Sequence, residues 1–440
     1  EQPGRDSGIR GYRGGYLPQE RRAIEAGLRE GSVKMVVSTN ALELGIDIGE
    51  LEACLMNGYP GTIASTWQQA GRSGRRSGTS LGVLVANSAP LNQYIVNNPD
   101  YFFGRTPERA LINPDNLIIL TNHLRCAAFE LPFGEGEHFG RTEVEALLEF
   151  LCEEGVLLRE GGRYHWMEDA YPAAEISLRS AASENVVIID TTEPPPRVIG
   201  EVDRFSAPML VHEEAIYIHG GRQYQVEKLD FAEKKAYVRR VEVNYFTDAN
   251  LSVDLKVLDT FACEEGRIVR SWGEVRINAL VSLFKKVRFN THENLGNGPV
   301  NLPETEMHTT AFWVAFPPER LTGLTPAEIE AGLTGLGNLI PQIAALFVMS
   351  DPRDLRAVAQ IRAPFTGAPT LYLYDNFPGG VGYSELLYRI YREIFRAAAA
   401  AINACRCSSG CPSCVGAADE GEGDVKKYAL RLLEAVLGEG

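Results

Sequence analysis

Two arginines three residues apart, Arg72 and Arg75, stand in the run Gln68-Gln69-Ala70-Gly71-Arg72-Ser73-Gly74-Arg75. One helical turn places residues at that spacing on the same side. Two forked, permanently charged donors aimed at one spot suit a chain of phosphates. A second stretch precedes them. It reads Val36-Val37-Ser38-Thr39-Asn40 and then Gly45-Ile46-Asp47-Ile48-Gly49, with one carboxylate between two apolar residues in a glycine-flanked turn. A third is the cluster Cys405, Cys407, Cys411 and Cys414, four thiols within ten residues. Four thiolates without histidine suit a structural Zn²⁺ in a closed tetrahedral shell. An iron–sulfur cluster is the main rival. Paired disulfides fit poorly, because the sulfurs crowd and Cys54, Cys126, Cys152 and Cys263 are scattered as in a reducing compartment.

The elements that must carry the arginines follow from the pattern. Val33–Val37 is a short, mostly apolar run that predicts a strand, and Ser38, Thr39 and Asn40 fall at its carboxyl end. Open α/β sheets place ligand contacts there. Ala53–Met56 and Leu81–Ala86 predict two further strands, and the run from Gln68 predicts a helix that breaks at glycine. Pro18 suits the first turn of another helix, with Ile24 and Leu28 on one face. Residues 1–100 therefore read as most of one α/β lobe. A phosphate-cradling Gly-x-x-x-x-Gly-Lys-Ser/Thr loop is absent, since no lysine here follows a glycine. Nor does any apolar strand end in an Asp-Glu pair that would hold Mg²⁺. The expectation is a chain that does not hydrolyse ATP by itself and supplies half of a shared site.

The two N-terminal stretches resemble motifs V and VI of superfamily 2 helicases. That resemblance implies that Thr39 touches a nucleic-acid backbone, that Gly45 and Asp47 lie near the nucleotide, and that Gln68 stands where RecQ-type enzymes also have glutamine. It implies that Arg72 and Arg75 are arginine fingers, acting on ATP and Mg²⁺ held by a first lobe. The chain begins at Glu1 without methionine, and the expectation is a fragment joined to its own N-terminal motor lobe. Arg13 and Arg21 read equally as nucleic-acid contacts or as a solvated basic loop and helix face.

Residues 101–174 predict helices followed by a hairpin, the pattern of a winged helix. Asn113-Pro114-Asp115-Asn116 caps the first helix, Thr142–Glu154 forms the second, and Val156–Arg159 with Arg163–Trp166 makes the wing. Residues 175–300 are β-rich, with short Val-, Ile- and Tyr-rich runs at barrel-like spacing. Tyr217, Tyr224, Tyr237 and Tyr245 with Arg222, Arg239 and Arg240 form either a stacking surface for single strands or the rim of an ordinary barrel. Lys285 and Lys286 belong to a basic run and are nucleic-acid candidates. Residues 301–440 return to α/β, with a long apolar helix over Ala327–Met349 that Gly332, Gly335, Gly337 and Pro341 are expected to break. Leu371–Asp375 predicts a strand, and Phe377-Pro378-Gly379-Gly380-Val381-Gly382 a turn into the next helix. Such a turn either holds an anion or packs domains together.

The fold class is therefore α/β multidomain: a partial RecA-like lobe, a winged helix, a β-rich barrel-like domain and an α/β zinc-binding C-terminal domain. The 440 residues carry a formal net charge of −15, which argues against a general nucleic-acid coat and leaves room for a narrow local track. No run of 18 apolar residues predicts a membrane span. Together the Tyr-Asp-Asn-Phe-Pro-Gly-Gly turn, Asp351-Pro352-Arg353-Asp354 and the cysteine knuckle resemble the C-terminal region of the mitomycin-repair-factor, RecQ-four-like helicase group. This implies ATP-dependent 3′-to-5′ movement on single-stranded or forked DNA, a role in DNA repair and a cytoplasmic setting. An RNA motor and a non-enzymatic nucleic-acid scaffold are the alternatives.

Overall fold

The computed structural model describes residues 8–43, 48, 51–74, 79–108, 111–113, 116–140, 142–174, 176, 185–204, 206–417 and 423–438. Gly45, Asp47 and Arg75 lie outside them, as do Pro114 and Asp115 of the expected cap.

The first unit alternates strand and helix. β1 (Ile9–Tyr12), α1 (Pro18–Glu30) and β2 (Met35–Ser38) form a right-sized crossover, with β1 and β2 parallel. Pro18 opens α1, and Gly31 closes it in the left-handed region at φ 77°. β3 (Ala53–Asn57), α2 (Ile63–Ala70) and β4 (Leu81–Val85) repeat the arrangement, and α3 (Pro90–Asn97) and α4 (Pro99–Gly104) complete the lobe. Tyr12, Ile24, Leu28, Val33 and Ile48 bury one small core between α1 and its strands.

α5 (Leu117–Glu130) starts the winged helix. β5 (Phe133–Gly134), β6 (His138–Phe139), β7 (Thr142–Glu143), α6 (Glu145–Glu153), β8 (Leu157–Glu160) and β9 (Arg163–Trp166) follow. The wing hairpin recruits β5 as a third strand, and Leu124, Leu148 and Tyr164 fill the core beneath it. α6 starts three residues later than expected because Thr142 and Glu143 pair with His138 and Phe139.

β10 (Asn185–Asp190), β11 (Arg197–Asp203), α7 (Ala207–Leu210), β12 (Ile216–His219), β13 (Arg222–Asp230) and β14 (Lys235–Val241) make a five-stranded sheet in the order β11-β10-β14-β13-β12. β11 escapes a sequence reading because it follows directly on the Pro194–Pro196 run. Tyr217 and Tyr224 are only 4% and 3% exposed, so they belong to the core of this sheet and not to a stacking surface.

β15 (Tyr245–Glu265) and β16 (Val269–Arg288) form a long hairpin, followed by β17 (Asn294–Pro299), β18 (Thr305–Ala315), α8 (Pro326–Val348), β19 (Leu355–Gln360), β20 (Thr370–Asp375), α9 (Tyr383–Ala404) and α10 (Val425–Leu437). Their sheet runs β15-β16-β18-β20-β19, with β17 on the edge of β16. The expected division near residue 300 falls inside this sheet, since Val269–Ala279 of β16 pairs with Thr305–Ala315 of β18.

α8 is one continuous helix, contrary to the breaks expected at its glycines and proline. A Thr325–Glu328 capping box starts it, with Pro326 in the first turn. Its glycines serve close packing. A methyl group at Gly332 would lie 2.9 Å from Leu432, and one at Gly335 would lie 3.0 Å from Val415. By length and hydropathy α8 passes for a membrane span, yet 72% of its apolar window is buried inside the protein, as a core helix requires. The core around it takes residues from both ends of the chain, with Ile63, Leu91 and Ile95 packed with Leu336, Ile340 and Phe395.

Candidate motor surface and metal centre

α2 carries the arginine segment. Thr62 caps it, its hydroxyl accepting from the Ser65 amide at 3.0 Å. Gln68 is exposed on its surface. At its end Gly71 takes up the Trp67 carbonyl at 2.8 Å, the helix stops, and Arg72 turns back. Arg72 Nη2 donates to the Glu43 carbonyl at 2.6 Å. The Glu43 carboxylate accepts from Ser65 Oγ at 2.6 Å and from Gln69 Nε2 at 3.1 Å. One glutamate thus joins the two motifs that sequence spacing brings together. It had no signal of its own, because its partners lie 22 to 29 residues away.

The cysteine knuckle sits between α9 and α10. Cys405 Sγ lies 3.6 Å from Cys407 Sγ and 3.5 Å from Cys411 Sγ, and Cys414 Sγ lies 3.5 Å from Cys407 Sγ and 3.8 Å from Cys411 Sγ. All four sulfurs fall within 4.8 Å of one another. A tetrahedron of thiolates about 2.3 Å from zinc has edges of about 3.8 Å, so the set fits that ion. A disulfide needs about 2.0 Å, which none of these pairs approaches. Lys426 of α10 donates to the carbonyls of Cys405 at 2.7 Å and Cys407 at 3.2 Å, tying the knuckle to the last helix. Cys414 and Val415 are buried against α8, where Asn338 Nδ2 reaches the Val415 carbonyl at 3.4 Å.

The glycine-rich turn into α9 is filled by a carboxyl group of its own. Asp375 Oδ2 accepts from the amides of Val381, Gly382 and Tyr383 at 2.8, 3.0 and 3.2 Å. Oδ1 accepts from Ser384 N at 3.1 Å and Ser384 Oγ at 2.7 Å. The anion-holding reading of this turn is therefore met internally. The packing reading also holds, because Asn116 Nδ2 donates to the carbonyls of Pro378 and Gly380, each at 2.9 Å.

The comparisons with known proteins agree with this anatomy. The helicase conserved C-terminal domain model matches residues 5–77, the HRQ1 winged helix domain model residues 112–181, and the MrfA Zn-binding domain model residues 336–415. The ATP-dependent helicase YprA of Bacillus subtilis is 54% identical over 428 residues, covering 97% of this chain and 57% of YprA. The ATP-dependent helicase HRQ1 of Saccharomyces cerevisiae is 28% identical over 463 residues, covering 98% of this chain and 42% of HRQ1. The crystal structure of the DUF1998 helicase MrfA bound to DNA superposes with a TM-score of 0.71 at 53% identity, covering 98% of this chain and 57% of that one. Along nearly its whole length the chain is similar to the MrfA and HRQ1 helicases. It spans little more than half the length of its bacterial relative.

In this MrfA-type chain the four cysteines are the zinc ligands, lying inside the matched Zn-binding domain. The other nucleic-acid candidates divide. Thr39 is exposed at the carboxyl end of β2, where its Oγ1 accepts from the Ala41 amide at 3.4 Å. Lys285 is exposed on β16, in register with Asp248. Lys286 is engaged with Glu214 at 3.2 Å. Arg13 faces inward to the β-rich unit, donating to the Tyr217 hydroxyl with Nη2 3.1 Å from His219 Nδ1. Its guanidinium stands 4.8 Å from the Tyr217 ring centre. Beside it the Gly15 carbonyl accepts from the Glu201 amide at 3.2 Å, and a methyl group at Gly200 would lie 2.7 Å from that same carbonyl. Burial beside this cation pushes His219 down to about 4.

Proposed function

We propose that this chain forms the C-terminal half of an ATP-dependent DNA helicase that moves 3′ to 5′, acts on single-stranded or forked DNA and serves DNA repair in the cytoplasm. Its own N-terminal motor lobe supplies the Walker loop, the Mg²⁺ ligands and the other face of the ATP site. Arg72 and Arg75 stabilise charge on the transferring phosphoryl group, Gly45, Asp47 and Gln68 line the nucleotide, and Thr39 and Lys285 contact the DNA backbone. The winged helix and the zinc domain guide the strands.

The observation that carries the reading is the grip of Glu43 on Arg72. A guanidinium resting on a backbone carbonyl at 2.6 Å is oriented and charged, and it exchanges that acceptor for a phosphate oxygen when the lobes close. The MrfA structures solved with DNA, and with DNA and AMPPNP, support the substrate class, at 53% and 52% identity to this chain. The test is Arg72→Ala in the intact protein. DNA-stimulated ATP turnover falls about 100-fold or more while DNA affinity is retained. Unchanged turnover would remove the finger assignment.

A further inference from the structure

α2 is only eight residues long, Ile63–Ala70. An isolated helix of that length is unstable in water, so the direction in which it delivers Arg72 depends on what grips its ends. The amides left without intrahelical partners at its N-terminus include those of Ile63, Ala64 and Ser65. Thr62 serves Ser65. Glu108 serves the other two, Oε1 accepting from Ile63 N at 2.6 Å and Oε2 from Ala64 N at 2.9 Å. A two-pronged carboxylate on adjacent amides fixes the axis of a helix more firmly than a single cap, and its charge also favours the positive end of the helix dipole.

Glu108 comes from the connection between α4 and α5, 44 and 45 residues further along the chain. Three other close approaches hold α2 and the residues that lead into it. The Ile63 side chain is fully buried in the core shared with α8. Trp67 stacks on Phe102 of α4 with ring centres 5.1 Å apart. A methyl group on Gly61, just before the helix, would lie 2.8 Å from Asp351 of the C-terminal unit. The far end of the α4–α5 connection is Asn116, which grips the Pro378 and Gly380 carbonyls. The connection is therefore tied to the arginine helix at one end and to the zinc-bearing unit at the other.

We infer that Glu108 is a positioning residue for the arginine finger, coupling the placement of the winged helix and C-terminal unit to the angle at which Arg72 meets ATP. The inference rests on the finger role proposed for Arg72. Loss of the carboxylate leaves Arg72 present and charged but lets α2 swing about its buried Ile63.

The intact protein with DNA tests this through Glu108→Gln, Glu108→Asp and Arg72→Ala. Glutamine sets an amide NH₂ against one of the two backbone amides, whereas aspartate keeps the charge with a shorter reach. For Glu108→Gln, kcat falls about tenfold while KM for ATP and DNA affinity stay within about twofold, and Glu108→Asp recovers part of the loss. ADP–aluminium fluoride, which mimics the transition state, binds Glu108→Gln about tenfold more weakly, and AMPPNP binds it as it binds wild type. Three results would overturn the proposal. Wild-type kcat in Glu108→Gln, with Arg72→Ala inactive, removes the positioning role alone. Equal weakening of both nucleotide analogues means Glu108 only stabilises the fold. Full activity in Arg72→Ala removes the finger reading, and the positioning role falls with it.

Discussion

Asn116 donates to the Gly380 carbonyl at 2.9 Å across 264 residues of sequence, and its Oδ1 accepts from the amides of Ile118 and Ile119 at 3.1 Å. One side chain caps the first helix of the winged domain and fastens that domain to the zinc-bearing unit.

Asn116→Ala removes the cap and the bonds to the Pro378 and Gly380 carbonyls. It is expected to destabilise by about 2 kcal/mol, because caps and buried hydrogen bonds each contribute about 1 kcal/mol. Thermal unfolding followed by circular dichroism reads the change. An unaltered midpoint would mean that solvent replaces both roles.

Removal of the metal is expected to act from the C-terminus inward. Cys411→Ser, or chelation of wild type, releases about one zinc per chain and loosens the knuckle from α8 before the first lobe is affected. Metal analysis together with limited proteolysis follows the order of events. A metal-free protein equally resistant to protease would exclude a structural zinc.

Gly335→Ala tests how closely the knuckle packs. The added methyl would meet Val415 at 3.0 Å and Val425 at 3.1 Å. Overpacking of this kind costs about 1–3 kcal/mol, which outweighs the better helix propensity of alanine. Chemical denaturation measures it, and a stabilised variant would show that α8 has room to give.

His219 makes the junction between the first lobe and the β-rich unit sensitive to acid. Its folded pKa is depressed to about 4 by burial and by Arg13, against 6.5 when unfolded. The unfolded chain binds the proton more readily, so stability is full above 6.5 and falls as pH drops toward 4. Tyr16, Tyr217 and Glu20 are the other groups around the ring, with Glu20 Oε2 3.6 Å from Nε2. A His219→Gln variant is expected to lose less stability between pH 7 and pH 4.5 than wild type. Parallel loss in both would assign the acid sensitivity elsewhere.

Arg75→Ala in the intact protein is expected to stop ATP turnover and leave DNA binding largely in place, as for Arg72. Steady-state ATP hydrolysis with a DNA-binding isotherm on the same sample decides it. Turnover at the wild-type rate would leave Arg72 as the sole finger.

What the sequence made legible was local. The cysteine knuckle, the wing hairpin and most strands are each specified by residues within about a dozen positions of one another. Asn116 was legible as a helix cap, but its grip on the Pro378 and Gly380 carbonyls was not, nor were Glu43, Glu108 and Lys426, because each of these contacts joins groups brought near only by folding. The α8 glycines misled for the same reason. Composition reads Gly332 and Gly335 as breaks, but α10 and the knuckle press against them and need the missing side chains. Tyr217 and Tyr224 read as surface or rim tyrosines, and only the packing of the five-stranded sheet places them inside.

The turn into α9 is a socket with its plug moulded in. Five donors surround Asp375, and a visiting phosphate would have to expel that carboxylate from the core before it could bind. This turn is thereby closed to nucleotide, phosphate and sulfate alike, and its shape is set from within the chain.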